Sequence, residues 1–131
     1  MIRYIWVLIL VTNLFSQFQP QNSQELETAV DLWVNDNVSA LTIYGEINTW
    51  DVSLITDMYE LFRNKETFND DISNWDVSNV TNMGLIFYQA ANFNQDLSSW
   101  NVSNVTNMYS AFAGSALNQD LSWDVSSAND L

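Results

Sequence analysis

Residues 75–99 read WDVSNVTNMGLIFYQAANFNQDLSS, and the same pattern flanks them as WDVSLITDMYELFRNKETFNDDISN over residues 50–74 and WNVSNVTNMYSAFAGSALNQDLS over residues 100–122. Trp50, Trp75 and Trp100 therefore stand 25 residues apart, and Trp123 follows after 23, opening a partial unit, WDVSSANDL. The third unit has lost one residue near Ala116 and one before Trp123, both where a loop absorbs the change. Ahead of Trp50 lies a half unit, in which Ile43, Glu46 and Ile47 take the places of Phe68, Asp71 and Ile72. A period of this size marks stacked supersecondary units, none of which can bury its apolar face alone.

Within residues 75–99 the apolar positions are Trp75, Val77, Val80, Met83, Phe87, Phe93 and Leu97. Trp75 and Val77 alternate about Asp76 as in a strand, whereas Met83, Ile86 and Phe87 have helical spacing. The pattern predicts an α/β solenoid over residues 43–131: a right-handed, leucine-rich-repeat-like coil of short strands and short helices. Its units start at Trp50, Trp75, Trp100 and, partially, Trp123, and its parallel sheet is expected from segments such as residues 97–102. Upstream, residues 23–37 contain an amphipathic stretch in which Leu26, Ala29, Val30 and Trp33 form one apolar stripe. Ser23 is its expected N-cap, with Glu25 and Glu27 near the positive end of the dipole. This helix is expected to cap the first unit.

The 131 residues carry 16 acidic and 3 basic side chains, a net charge of −13, and neither histidine nor cysteine. Such a chain repels nucleic acid and anionic membrane surfaces. It has no material for a thiolate or imidazole metal site, a Ser-His-Asp triad or a disulfide. Residues 1–15, MIRYIWVLILVTNLF, hold Arg3 as their only charge and run into the polar stretch Ser16 to Gln24. The apolar run is shorter than a membrane span, so residues 1–20 are read as an export signal, cleaved or retained as an anchor. Beyond that signal no membrane association is expected, and the protein is placed outside the cell or on its surface.

Polar positions repeat as regularly as apolar ones. Ser53, Ser78, Ser103 and Ser126 share one register, Thr56, Thr81 and Thr106 another, and Asp57, Asn82 and Asn107 a third. Residues of this kind satisfy backbone groups in turns. Asp51, Asp76, Asn101 and Asp124 form an outward column that is the candidate binding face. A second column, Glu46, Asp71, Asp96 and Asp120, accumulates like charge; Ca2+ bridging would relieve the repulsion and make the protein a calcium-binding solenoid, the alternative reading. No glycine-rich calcium repeat or EF-hand loop accompanies these acids, and no metal ligand is assigned. A carboxylate-pair hydrolase needs two acids in unlike surroundings, whereas these recur by register in equivalent ones, so no catalytic residue is assigned and no enzyme is expected. Asn37, Asn79, Asn101 and Asn104 head Asn-X-Ser/Thr sequons, three of them inside repeats where the same residues serve turns.

The unit WDVSNVTNM…F…A…FNQDLS resembles the BspA-type leucine-rich-repeat-like family of surface proteins, also common among Mycoplasma surface lipoproteins, over about residues 26–131. The resemblance implies a secreted or surface-attached repeat protein, a non-catalytic module for adhesion or protein interaction, with no catalytic or ligand residues to carry over. Its expected partner is a protein or glycan on another cell or matrix, cationic to match the acidic charge, bound through an association that salt weakens. The chain departs from the family where Met-Phe followed by Gly-Ala is preferred: it has Leu61-Phe62, Ile86-Phe87 and Ala111-Phe112, with Gly114 the one glycine in place. Leu131 falls where the next helix is expected to begin, so the last coil is expected to be exposed, belonging to a longer array or frayed, with end-to-end self-association as a further expectation.

Overall fold

The computed structural model describes residues 16–131. Two helices precede the repeats: α1, Ser23–Asn35, and α2, Asn37–Tyr44. Asn22, not Ser23, caps α1: its backbone is extended and its side chain accepts the Glu25 N–H, while the Glu25 carboxylate accepts the Gln21 N–H at 2.8 Å. Ser23 reaches across instead and donates its hydroxyl to the Asp57 carbonyl at 2.7 Å. Leu26, Ala29, Val30 and Trp33 are the buried face of α1. Asp36 ends α1 and starts α2, its side chain accepting from the Ser39 N–H, and Gly45 closes α2 at φ 74°. Helix α2 is absent from the sequence-based reading. It leaves Ile43 62% exposed, so Ile43 is not the counterpart of buried Phe68, and the half unit begins in earnest at buried Ile47.

The expected α/β solenoid does not form. Among the described residues the repeats contain no strand, no sheet and no α-helix; successive coils touch through single parallel bridges, Asp57 to Asn82, Asn82 to Asn107 and Asn107 to Asp130. Trp75 and Val77 do point inward around exposed Asp76, but the extended run ends at once because the Val80 N–H turns back to the Val77 carbonyl. Residues 97–102 bend likewise, the Trp100 N–H closing on Leu97 at 3.0 Å.

The stretch with helical spacing is a ribbon of consecutive turns. In the first coil the N–H groups of Leu61, Arg63 and Lys65 close on carbonyls three residues back, whereas those of Met58, Glu60, Phe62 and Asn64 leave the coil for the carbonyls of Asn82, Gly84, Ile86 and Tyr88. The second coil repeats this, Met83, Leu85, Phe87 and Gln89 donating to Asn107, Tyr109, Ala111 and Ala113. An α-helix sends each N–H four residues back within its own segment and has none to spare. The alternation also needs left-handed residues, and they recur in register: Glu60, Leu85 and Ser110, then Asn64, Gln89 and Gly114, all at positive φ. Burial of Met83, Ile86 and Phe87 fits either geometry, which is why spacing alone pointed to a helix.

Exposed Gln89 at φ 56° distinguishes the two. A left-handed conformation costs a residue with a Cβ about 1–2 kcal/mol, and glycine escapes that at an entropic cost of roughly 0.5–1 kcal/mol. Gln89→Gly is therefore expected to raise the unfolding free energy by up to about 1 kcal/mol in chemical denaturation. The same substitution inside a helix would lower it by a similar amount.

Aromatic side chains fill the interior in columns. Trp50, Trp75, Trp100 and Trp123 stack at 6.2, 6.5 and 6.3 Å between successive centroids. Phe62, Phe87 and Phe112 stack at 5.1 and 5.4 Å, and Phe93 lies 3.9 Å from Phe87. Each of these indole N–H groups is satisfied: Trp75 donates to Ile47, Trp100 to Ile72 and Trp123 to Leu97, always the carbonyl three residues ahead of the preceding Trp. Above the first coil, α1 seals the column with Trp33 set edge-on to Trp50 at 5.8 Å.

The export signal read over residues 1–20 falls, for residues 1–15, outside the described residues. Residues 16–20 pack on the cap: Phe18 lies 4.4 Å from Tyr44 and 5.3 Å from Trp50, its carbonyl accepts the Asp51 N–H, and Pro20 is buried. No helix among the described residues is long and apolar enough to cross a membrane.

Candidate functional site

Each full coil turns three corners, and a short side chain makes each one. In the second coil Asp76 accepts the Ser78 N–H, Asn82 the Gly84 N–H and Asp96 the Ser98 N–H, all two residues on. The candidate column thus lies along one corner. Asp51, Asp76, Asn101 and Asp124 accept from the N–H groups of Ser53, Ser78, Ser103 and Ser126 at 3.0, 3.0, 3.1 and 3.0 Å. The second carboxylate oxygen of Asp76 and Asp124 and the amide nitrogen of Asn101 are left over, on side chains that are exposed. Asp51 differs, because Gln19 donates to its second oxygen at 2.7 Å and the residue is half-buried. The accessible column is therefore Asp76, Asn101 and Asp124. Nothing in the spacing reveals this, because Gln19 belongs to the non-repeating segment.

The second column occupies another corner. Asp71 accepts from the Ser73 N–H at 2.9 Å and from the Asn48 amide at 3.0 Å, Asp96 from the Ser98 N–H, and Asp120 from the Ser122 hydroxyl. Glu46 is exposed at the start of a 3-10 turn, Ile47–Thr49. Among the described residues no three acidic side chains converge on one point that could hold a metal ion. The Asp71 and Asp96 carboxylates are turned to their own backbones, and Asp120 to a neighbouring hydroxyl.

Between the corners run ladders of neutral side chains. Asn79 and Asn104 donate their amides to the carbonyls of Ser53 and Ser78 at 2.8 and 2.7 Å, and Thr81 and Thr106 donate hydroxyls to Thr56 and Thr81. The turn polarity thus binds coil to coil as well as closing each corner. Among the described residues no polar or charged one is buried. The described cations are both engaged near the cap, Lys65 with Asp31 at 2.7 Å and Arg63 with Glu60. From residue 66 onward the sequence has eight acidic residues and neither lysine nor arginine, so the second and third coils present an uncompensated negative surface.

Three corner carboxylates are shifted. The Ser53 hydroxyl and N–H hold Asp51 below the ordinary carboxylate range, and Ser98 and Ser126 do the same for Asp96 and Asp124. Asp36, bonded by Ser39, is lowered likewise. A carboxylate whose folded pKa lies below its unfolded value stabilises the fold above the unfolded value, about 3.9, and loses that contribution as pH falls through the folded value. The unfolding midpoint is expected to drop as pH falls below about 4. Protonation also relieves the repulsion of a −13 chain, so the corner effect is isolated by replacement. Asn101 makes the same corner without charge, and Asp96→Asn with Asp124→Asn is expected to flatten the acid limb measured by thermal denaturation.

A family described as "Mycoplasma protein of unknown function, DUF285" matches this chain over residues 36–131. No curated protein and no solved structure matches it.

Proposed function

For a chain that belongs to the DUF285 family, matched from α2 through the last coil, we propose a non-catalytic interaction module of a secreted or surface-attached repeat protein, akin to the BspA-type proteins its unit resembles. Its binding face is the exposed corner column Asp76, Asn101 and Asp124, with the Asn and Thr ladders beside it. The observation that carries this reading is the charge distribution: the outer coils repeat one acidic, polar edge and carry no cation to neutralise it. A repeated edge of this kind offers an extended surface to a partner. The partner that fits is a cationic protein, and salt should weaken the association within a Debye length of about 10 Å at 0.1 M. That no ionisable group is buried among the described residues favours binding over acid-base chemistry, which draws on acids held in unlike, desolvated sites.

A lysine-rich decapeptide titrated against the full chain tests the face. Asp76→Asn with Asp124→Asn is expected to weaken binding several-fold. Asp71→Asn with Asp96→Asn, which removes the same charge at the other corner, should change it much less. Equal losses from the two pairs would leave only bulk charge and contradict the assignment.

A further inference from the structure

The repeat uses its acids to close corners, as Asp71, Asp76, Asp96 and Asp124 do by accepting an N–H two residues on. Two acids next to the cap depart from that use. Glu46 shares the register of Asp71, yet its side chain makes no capping bond to the 3-10 turn that follows it. Asp70 shares the register of Gln95 and Gln119, whose amides reach back to Asn69 and Asn94 and tie each coil to the one before. A carboxylate has no N–H to donate there. Its Oδ2 accepts the Trp33 indole N–H at 2.8 Å, and its Oδ1 has no partner among the described residues. These two acids come together at a cleft of about 320 Å3 between α1, α2 and the first coil, and they are the only charged residues that line it. Trp33, Val34, Leu41 and Phe68 supply its apolar wall. The described ion pairs join Lys65 to Asp31 and Arg63 to Glu60, so neither cleft carboxylate has a basic partner among the described residues.

Two uncompensated carboxylates on one cleft make its interior negative and draw in a cation. A hard metal ion needs many converging oxygen ligands, and no three acidic side chains meet among the described residues. An organic cation uses both kinds of lining. Its ammonium donates three N–H groups to carboxylate oxygens, its methylene stem lies against Val34 and Leu41, and aromatic rings such as Trp33 and Phe68 attract its positive charge. We infer that the cap cleft binds a primary alkylammonium group, the end shared by free aliphatic amines and lysine side chains, through Glu46 and Asp70. The volume is at the small end of ligand sites and suits a short stem. This site is separate from the corner column Asp76, Asn101 and Asp124 and does not rest on it.

The test is n-butylammonium chloride titrated into the full chain, followed by the indole N–H signals in nuclear magnetic resonance. The expected result is a saturable shift of the Trp33 signal with half-saturation at about 5 mM or below, the modest affinity proper to a ligand of few heavy atoms. Sodium chloride at equal ionic strength and neutral n-butanol should give no saturable shift. Glu46→Gln with Asp70→Asn removes both charges and keeps an oxygen for the Trp33 N–H, and is expected to weaken binding at least about fivefold. Asp76→Asn with Asp124→Asn, equal in charge but at the corner, should weaken it less than about twofold. Leu41→Lys sets a tethered ammonium beside the cleft at an exposed helix position and is expected to displace the free amine, a result that does not depend on how the double variant folds. Nα-acetyl-lysine amide, titrated in parallel, binds at the same signal if the site takes side chains as well as free amines. A Trp33 shift that stays linear to about 50 mM overturns the inference. So does an equal response to sodium, or an equal loss from the cleft and corner pairs.

Discussion

Phe87→Ala is expected to lower the free energy of unfolding by about 3–5 kcal/mol, the range for deleting a buried aromatic ring. Phe87 is inaccessible to solvent and stands at the crossing of the two aromatic systems, 5.1 Å from Phe62, 5.4 Å from Phe112, 3.9 Å from Phe93 and 6.4 Å from Trp100. Its removal opens a void between two coils. Relaxation is restricted because the backbone on both sides is pinned, the Phe62 N–H to Ile86 and the Phe87 N–H to Ala111 at 2.8 Å each. Against the ordinary stability of a small domain, about 5–15 kcal/mol, such a loss removes much of the whole. Tyr109→Ala, at a side chain 52% exposed on the same ribbon, is the control and is expected to change stability by no more than about 0.5 kcal/mol. Urea denaturation of the two variants measures the contrast, and comparable losses would mean that the columns are not the core.

The second large effect is expected at the cap. Trp33 is 6% exposed, edge-on to Trp50, and its indole N–H reaches the Asp70 carboxylate at 2.8 Å, so one side chain joins α1 to both ends of the first coil. Trp33→Ala is expected to cost about 3 kcal/mol or more. Trp33→Phe keeps the ring contact and loses the hydrogen bond, a loss of about 1–2 kcal/mol. The nearby ion pair between Lys65 and half-exposed Asp31 ties the same surfaces together, yet Asp31→Asn is expected to lose under about 1 kcal/mol because solvent screens it. Fluorescence-monitored unfolding orders the three. If Asp31→Asn equals Trp33→Ala, charge rather than aromatic packing holds the cap.

These contrasts show what the sequence makes legible. The period, the Trp and Phe columns and the buried stripe of α1 follow directly from where apolar residues recur, because burial is written in side-chain type. The path of the backbone between buried points is not. Met83, Ile86 and Phe87 point inward on a helix and on a turn ribbon alike, and the left-handed residues that separate the two are mostly not glycine: Leu85 and Gln89 carry no mark of positive φ in their identity. Asp76 likewise reads as the outward residue of a strand, whereas its bond to the Ser78 N–H makes it the end of one. At the candidate face, register placed Asp51 with Asp76 and Asp124, and only the packing of the non-repeating segment through Gln19 sets it apart. The direction of the inter-coil hydrogen bonds was legible least, since no side chain marks which coil donates.

That direction is the centre of the account, and hydrogen-bond scalar coupling in the isotope-labelled protein reads it without inference from side chains. Coupling is expected between the Phe87 amide nitrogen and the Ala111 carbonyl carbon, and between Phe62 and Ile86, each pair 24 residues apart in sequence. Coupling of the Phe87 amide to the Met83 carbonyl, four residues back, would show a helix in place of the turn ribbon and contradict the stacking of coil on coil.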